Sequence, residues 1–434
     1  MRDILITAIV FGAIPFILKR PWVGILLWSW ISYMNPHRLA YGFAYDFPYA
    51  FIIAIVTILA FLFSRERKEF IWTRETILLL IFIAWMLLTT IASMYPDLAW
   101  IEWDRVWKIQ LFVIFSVILI NQRHKLDWLI WIMVISLGFY GIKGGIFTLV
   151  SGGSNHVWGP SSSYIEGNNE LALALVMIIP LLWYLLLQSA KRWVKFGLAG
   201  ATLLTAIAIL GSQSRGALLA IAAMGFFLWL KSRHKISTGV FMIVVISILA
   251  ASMPQSWYDR MNTIQTYKTD ASALGRINAW HTAFNVATNR VTGGGFAMFQ
   301  PPTFRVYAPD PNDVHDAHSI YFQVLGEHGF IGLSLFLLMW VLTWFTAQKI
   351  IRAFENDAEN KWAANLAAMA QVSMVGYAVG GAFLGLAYFD LPYHILVIVV
   401  VTAKLAGLYN RVEMPHLKNH NTVVAKTSYG AKTR

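Results

Sequence analysis

Apolar runs of membrane-spanning length follow one another along almost the whole chain, and one long polar stretch, residues 253–318, interrupts them. A bilayer core about 30 Å thick requires roughly 20 apolar residues per helix, and its backbone polar groups must pair within the segment. Such a chain has one solution, a bundle of helices. The candidate spans are 4–18, 22–34, 47–63, 76–93, 106–120, 127–149, 168–187, 195–210, 216–231, 237–253, 319–347, 363–385 and 390–409. The first two are short and read either as two tilted helices or as one re-entrant pair. The predicted fold is therefore an all-α polytopic membrane protein of twelve or thirteen spans with one large external loop.

Composition agrees. The chain is 58% hydrophobic and only 13% charged, against about a quarter charged in soluble domains. Its 19 Trp and 17 Tyr cluster at the ends of apolar runs, as interfacial belts do. The absence of cysteine excludes disulfides, thiolate metal sites and a cysteine nucleophile. The first run leads directly into the second, so no cleavable signal peptide is expected. The net charge of +12 is spread over many short connections instead of forming a basic patch, so nucleic-acid binding is not expected.

Lysine and arginine assign the sides. Alternate connections carry Arg65, Arg67, Lys68 and Arg74; Arg123 and Lys125; Lys191, Arg192 and Lys195; Lys231, Arg233 and Lys235; and Lys349, Arg352 and Lys361. The basic tail falls on the same side. The polar island balances five basic residues against five aspartates and is placed on the opposite, outer side. The expected division is 1–253 (first ten spans), 254–317 (outer loop with amphipathic helices), 318–410 (remaining spans) and 411–434 (basic tail).

Three polar features meet on that outer side. The first is GSQSRG at 211–216, where Arg215 and Gln213 sit in a turn between two spans. Charge near the membrane plane is costly and marks functional sites, although an exposed loop arginine reaching lipid headgroups fits the same sequence. The second is GRINAWHTAFNVATNRVTGGG at 275–295. Ile277, Trp280, Phe284 and Ala287 recur at helical spacing, which predicts an amphipathic surface helix. Arg276 in its first turn would combine with the free N–H groups to bind a phosphate; nonspecific contact with lipid phosphate is the alternative. Arg290, near the helix end, is a weaker candidate for an anion.

The third is His318, which precedes Tyr321 on one face at the start of a span. Histidine accepts a proton near neutral pH, which activating a hydroxyl requires. Asp313, His315, Asp316 and His318 also compose a metal-ligand set if the loop folds to converge them. Glu327 and His328 lie deeper and read as a buried polar contact in preference to an orienting pair. Gly167, Asn168, Asn169 and Glu170 begin a span on the same side and could hydrogen-bond sugar hydroxyls or a phosphate; helix capping explains the asparagines equally well.

The SRG turn at 214–216, the GRxxxW pattern at 275–280 and HSIYFQVLGEHGFIGL at 318–333 resemble, in this order, the O-antigen ligase and polymerase superfamily of bacterial envelope enzymes. The likeness extends over about 160–400. SYMNPHRLAYGFAYDFPYA at 32–50 is similar to a subgroup described as O-glycosylation ligases associated with exosortase systems. The resemblance implies an inner-membrane enzyme that transfers a glycan from undecaprenyl pyrophosphate to a lipid A–core sugar. It implies transfer on the periplasmic side, without metal, nucleotide or other cofactor. It also implies that Arg215 and Arg276 hold the pyrophosphate and that His318 is the catalytic base. Tyr321, Asn168, Asn169, Gln213, Arg290 and His315 are the secondary substrate-contact candidates.

The nearest rival is a polysaccharide polymerase. Polymerases of this kind carry paired large loops with an arginine and a glycine ten intervening residues apart, whereas Phe226 and Ala287 occupy those positions here. A ligase with a protein acceptor is the second rival. A transporter of lipid or glycan is the third, disfavoured because no internal repeat is visible and the polar residues gather on one side instead of at the midplane.

Overall fold

The computed structural model describes residues 1–232, 253–262 and 271–409, together with positions 234–237, 239–240, 243–244 and 247. The predicted span 237–253 falls mostly outside the described residues, and the tail 411–434 wholly so.

The described elements are helical, with no strand among them. They are α1 (Arg2–Lys19), α2 (Trp22–Met34), α3 (Tyr49–Phe63), α4 (Arg74–Ile91), α5 (Pro96–Leu119), α6 (Arg123–Val150), α7 (Asn168–Gln188), α8 (Arg192–Gly211) and α9 (Arg215–Lys231). In the loop region come α10 (Gln255–Asn262), α11 (Ala271–Asn289) and α12 (Pro301–Tyr307). The chain then forms α13 (Ile320–Phe354), α14 (Lys361–Gly381) and α15 (Asp390–Leu405). Among the described residues, α4, α6, α7, α8 and α13 are long and apolar enough to cross a membrane, and α2 and α3 are shorter apolar helices.

Burial explains the arrangement. α15 reads HILVIVVV at its middle and is buried from Asp390 to Ala403; a helix apolar on every side has nothing to show to water or lipid and goes to the centre. It packs on α5, α13 and α14. Outer helices instead expose large apolar side chains, among them Phe63, Ile91, Leu203 and Phe345, as a lipid-facing surface requires. α1 and α2 are separate helices, broken at Pro21, and both pack on α3.

α5 starts ten residues earlier than its apolar run suggests. Pro96 sits at its first turn, and the added turns carry the pairs Arg105–Glu102 (2.8 Å) and Lys108–Asp104 (2.6 Å). Charge removed these turns from the apolar window but did not prevent the helix.

The connections sort into two ends. At one end Lys125 pairs with Glu66, Lys404 with Glu69 at 3.2 Å, and the Arg123 guanidinium lies 4.5 Å over the Trp362 ring. The basic connections thus touch one another. At the other end the Met94 N–H donates to Gly294 O (2.8 Å), Asn168 Nδ2 to Ser212 O (2.7 Å), and the Tyr95 and Thr303 hydroxyls lie 2.9 Å apart. The candidate site is at this second end.

Candidate active site

α13 carries a break that shapes the site. Gly329 has φ 68° and ψ −173°, a conformation essentially confined to glycine. The carbonyls released by the break find other donors: Gly294 N–H to Gly326 O (2.8 Å), Gly295 N–H to Glu327 O (2.9 Å) and Trp85 Nε1 to His328 O (2.9 Å). The glycine triplet, with φ +67° at Gly293 and +78° at Gly295, therefore docks on this break. It does more than terminate the preceding helix.

That helix, α11, differs from expectation. It begins at Ala271, so Arg276 lies in its second turn and is displaced from the free N–H groups of the helix start. Its packed face is made of Gly275, Ala279, Thr282, Ala283 and Val286, while Phe284 is half exposed. Small residues let α11 approach α13 closely, as membrane helix pairs do; the large apolar residues look outward. Trp280 is the exception. It stacks on Phe322 (centroids 4.8 Å apart, 7° between planes) and donates from Nε1 to Ala317 O at 2.7 Å. This bond fixes the residue before His318.

His318 itself has φ +42°, a left-handed conformation uncommon for any residue with a side chain. It opens into a cavity of about 340 Å³ whose wall includes Glu102, Tyr164, Glu170, Asp316, Glu327 and Tyr388. Glu170 Oε1, from the first turn of α7, lies 3.9 Å from His318 Nδ1. Burial lowers the His318 pKa from its ordinary value, and the nearby positive charge of Arg276 lowers it further; Asp316 opposes the shift. The neutral imidazole is thus the resting form at neutral pH. Glu327 accepts from the Tyr388 hydroxyl (2.6 Å) and from Ala297 N–H (3.3 Å).

Arg215 and Arg276 line a second cavity, also of about 340 Å³, with Trp280 and Phe383. Arg276 donates from Nη1 to Phe383 O at 3.3 Å. The two cavities are neighbours: Trp280, in the wall of one, holds Ala317, in the wall of the other. Arg215 is the first residue of α9, after an N-cap in which Ser214 Oγ accepts from Ala217 N–H. The turn before it is buried, with Ser212, Gln213 and Ser214 each at most 5% exposed. An exposed loop with a wandering arginine is not what this segment forms.

The secondary candidates scatter. Gln213 donates from Nε2 to Gly153 O (3.0 Å), and Asn168 ties α7 to the same turn through Ser212 O. Asn168 is the first helical residue after the Gly167 cap, not the cap itself; Asn169, next to it, is partly buried outside the wall of either cavity. Arg290 donates to Gly293 O (3.0 Å) and Ala92 O (2.8 Å), pinning the end of α11. Tyr321 turns away from the His318 cavity, donates to Ala378 O (2.8 Å) and faces an apolar cavity with Trp340 and Trp344.

His315 pairs with Asp313 (2.8 Å), whereas Asp316 and His318 face the cavity. Among the described residues no three His, Asp or Glu side chains gather as metal ligands. Glu327 and His328 point apart, the latter pairing through Nδ1 with the Thr89 hydroxyl (2.7 Å). Glu102, Tyr164 and Tyr388 were not singled out as site residues from sequence, and Glu170 was read only as part of the polar start of α7. Their membership follows from helix packing, and the one local signal was the polar start of α7.

Two family matches divide the chain. Residues 1–190 match a family of unknown function (DUF5935), and residues 200–337 match the O-Antigen ligase family. The second match includes Arg215, Arg276 and His318. No curated protein matches the chain.

Proposed function

We propose that the chain, whose residues 200–337 match the O-Antigen ligase family, transfers a glycan from undecaprenyl pyrophosphate to a sugar hydroxyl of lipid A–core at the periplasmic face of the bacterial inner membrane. The observation that carries this reading is the adjacency of the two cavities, one with a neutral histidine and one with two arginines.

In the proposed reaction His318 takes the proton of the acceptor hydroxyl. The acceptor oxygen attacks the anomeric carbon, forming the new glycosidic bond. The bond from that carbon to the pyrophosphate oxygen breaks, and undecaprenyl pyrophosphate departs with the electron pair. Arg215 and Arg276 compensate the charge on the leaving group. A single displacement inverts the anomeric configuration. A positioned base contributes ~10²–10⁴ in rate.

The test is a transfer assay with purified protein, undecaprenyl-pyrophosphate glycan and lipid A–core in EDTA, comparing wild type with His318→Ala. Product from wild type alone supports the proposal. Product only with a lipid-linked glycan acceptor would identify a polymerase, and an active His318→Ala would remove the proposed base.

A further inference from the structure

Resting on that reading, we infer that the cavity beside His318 receives the acceptor sugar and admits neutral or amino sugars while excluding those that carry phosphate. Its volume of about 340 Å³ falls within the range of small-molecule sites, roughly 300–1,000 Å³. Glu102, Glu170, Asp316 and Glu327 all contribute to its wall, and among the described residues no lysine or arginine does. Glu102 is partly compensated by Arg105 from outside the wall, at 2.8 Å. Glu327 is 5% exposed and held by two hydrogen bonds, so it offers a sugar a fixed polar group, and the charge that opposes an anion is that of Asp316 and Glu102.

Among the described residues the Tyr164 hydroxyl, in a wall of the same cavity, is buried without a hydrogen-bond partner. A buried hydroxyl in that state is costly unless something pairs with it, and a sugar hydroxyl supplies both a donor and an acceptor. The neighbouring cavity has the opposite character: Arg215 and Arg276 line it, with no acidic side chain among its described lining residues. The pair of cavities thus sorts the substrates by charge, pyrophosphate on one side of His318 and an acceptor without phosphate on the other. Like-charge juxtaposition is an effective means of rejecting a wrong partner.

The test reads binding without turnover. Purified full-length protein in micelles is examined by saturation-transfer NMR with methyl glucoside, methyl glucosaminide and glucose 6-phosphate, with inorganic pyrophosphate present to occupy the arginine cavity. The neutral and amino glycosides are expected to bind, and glucose 6-phosphate to bind at least about tenfold more weakly. The double variant Asp316→Asn, Glu102→Gln should narrow that gap. Gly385→Leu, which places a side chain in the cavity where a Cβ meets only Gln323 at 3.7 Å, should abolish binding of all three. Equal binding of the phosphorylated sugar, no binding by any sugar, or binding indifferent to Gly385→Leu would overturn the inference. Selective binding by a protein that transfers no glycan would count against the ligase reading alone.

Discussion

Glu170 Oε1 stands 3.9 Å from His318 Nδ1, bringing the first turn of α7 against the residue before the N-cap of α13. The approach depends on Gly167, where an added Cβ would lie 2.0 Å from Glu170 Oε2. A carboxylate on Nδ1 orients the ring and leaves Nε2 for the substrate. Separation beyond hydrogen-bond range is common before substrate binds, and such contacts tighten in the reacting complex.

Glu170→Gln is therefore expected to lower kcat about tenfold with little change in KM, since the lost contact is electrostatic and acts through the base. Steady-state kinetics separate the two parameters. An equal loss in an enzyme with raised KM and unaltered kcat would assign Glu170 to substrate binding instead.

The pH profile should show an acid limb below 6.5, because burial and Arg276 hold the His318 pKa under its ordinary value. Protonated imidazole cannot accept a proton, so activity falls as pH drops through that folded pKa. Arg276→Gln removes a positive neighbour that favours the neutral ring. The limb in the residual activity should then move to higher pH, as measured by kcat/KM against pH.

Replacing Arg215 or Arg276 by Gln should cost roughly ten- to a hundredfold in kcat/KM, the worth of a charge-assisted contact of about 1.5–3 kcal/mol. Lysine keeps the charge but not the planar fork, so Arg→Lys should recover only part of the loss. A full recovery in transfer assays would mean that bidentate geometry is unimportant there.

Gly329→Ala should destabilise the protein. Its φ of 68° is strained for any other residue, and an added Cβ would come within 2.3 Å of Val291 O. Backbone strain of this kind costs of order 1–3 kcal/mol. A lowered Tm in detergent, together with loss of transfer, is the expected result; an unchanged Tm would show that the break in α13 is not needed.

Trp280→Phe keeps the ring that stacks on Phe322 but removes the donor to Ala317 O. The loss should weaken the hold on His318, lowering kcat several-fold while Tm falls only slightly. His318→Asn is a useful companion to His318→Ala, since asparagine tolerates the left-handed backbone better; both should be inactive if the imidazole is the base.

Much of this protein was fixed by local sequence. The long apolar runs left helix as their only outcome, and the residues Arg215, Arg276 and His318 stood out because charge and imidazole are scarce among so many apolar neighbours. Helix bounds followed to within a few residues for most spans. What the sequence left open depended on contacts between distant segments. The packed face of α11 is a stripe of small residues whose meaning appears only when α13 lies against it. Glu102 and Glu327 are far from Glu170 along the chain and looked like ordinary surface or contact residues, yet α5, α7 and the broken α13 bring all three to one cavity. Tyr321 shares a helical face with His318 by spacing, but the left-handed turn at His318 breaks that periodicity before the helix begins. Spacing determines what one helix presents; which helices meet, and where a chain bends between them, is decided by packing over the whole bundle.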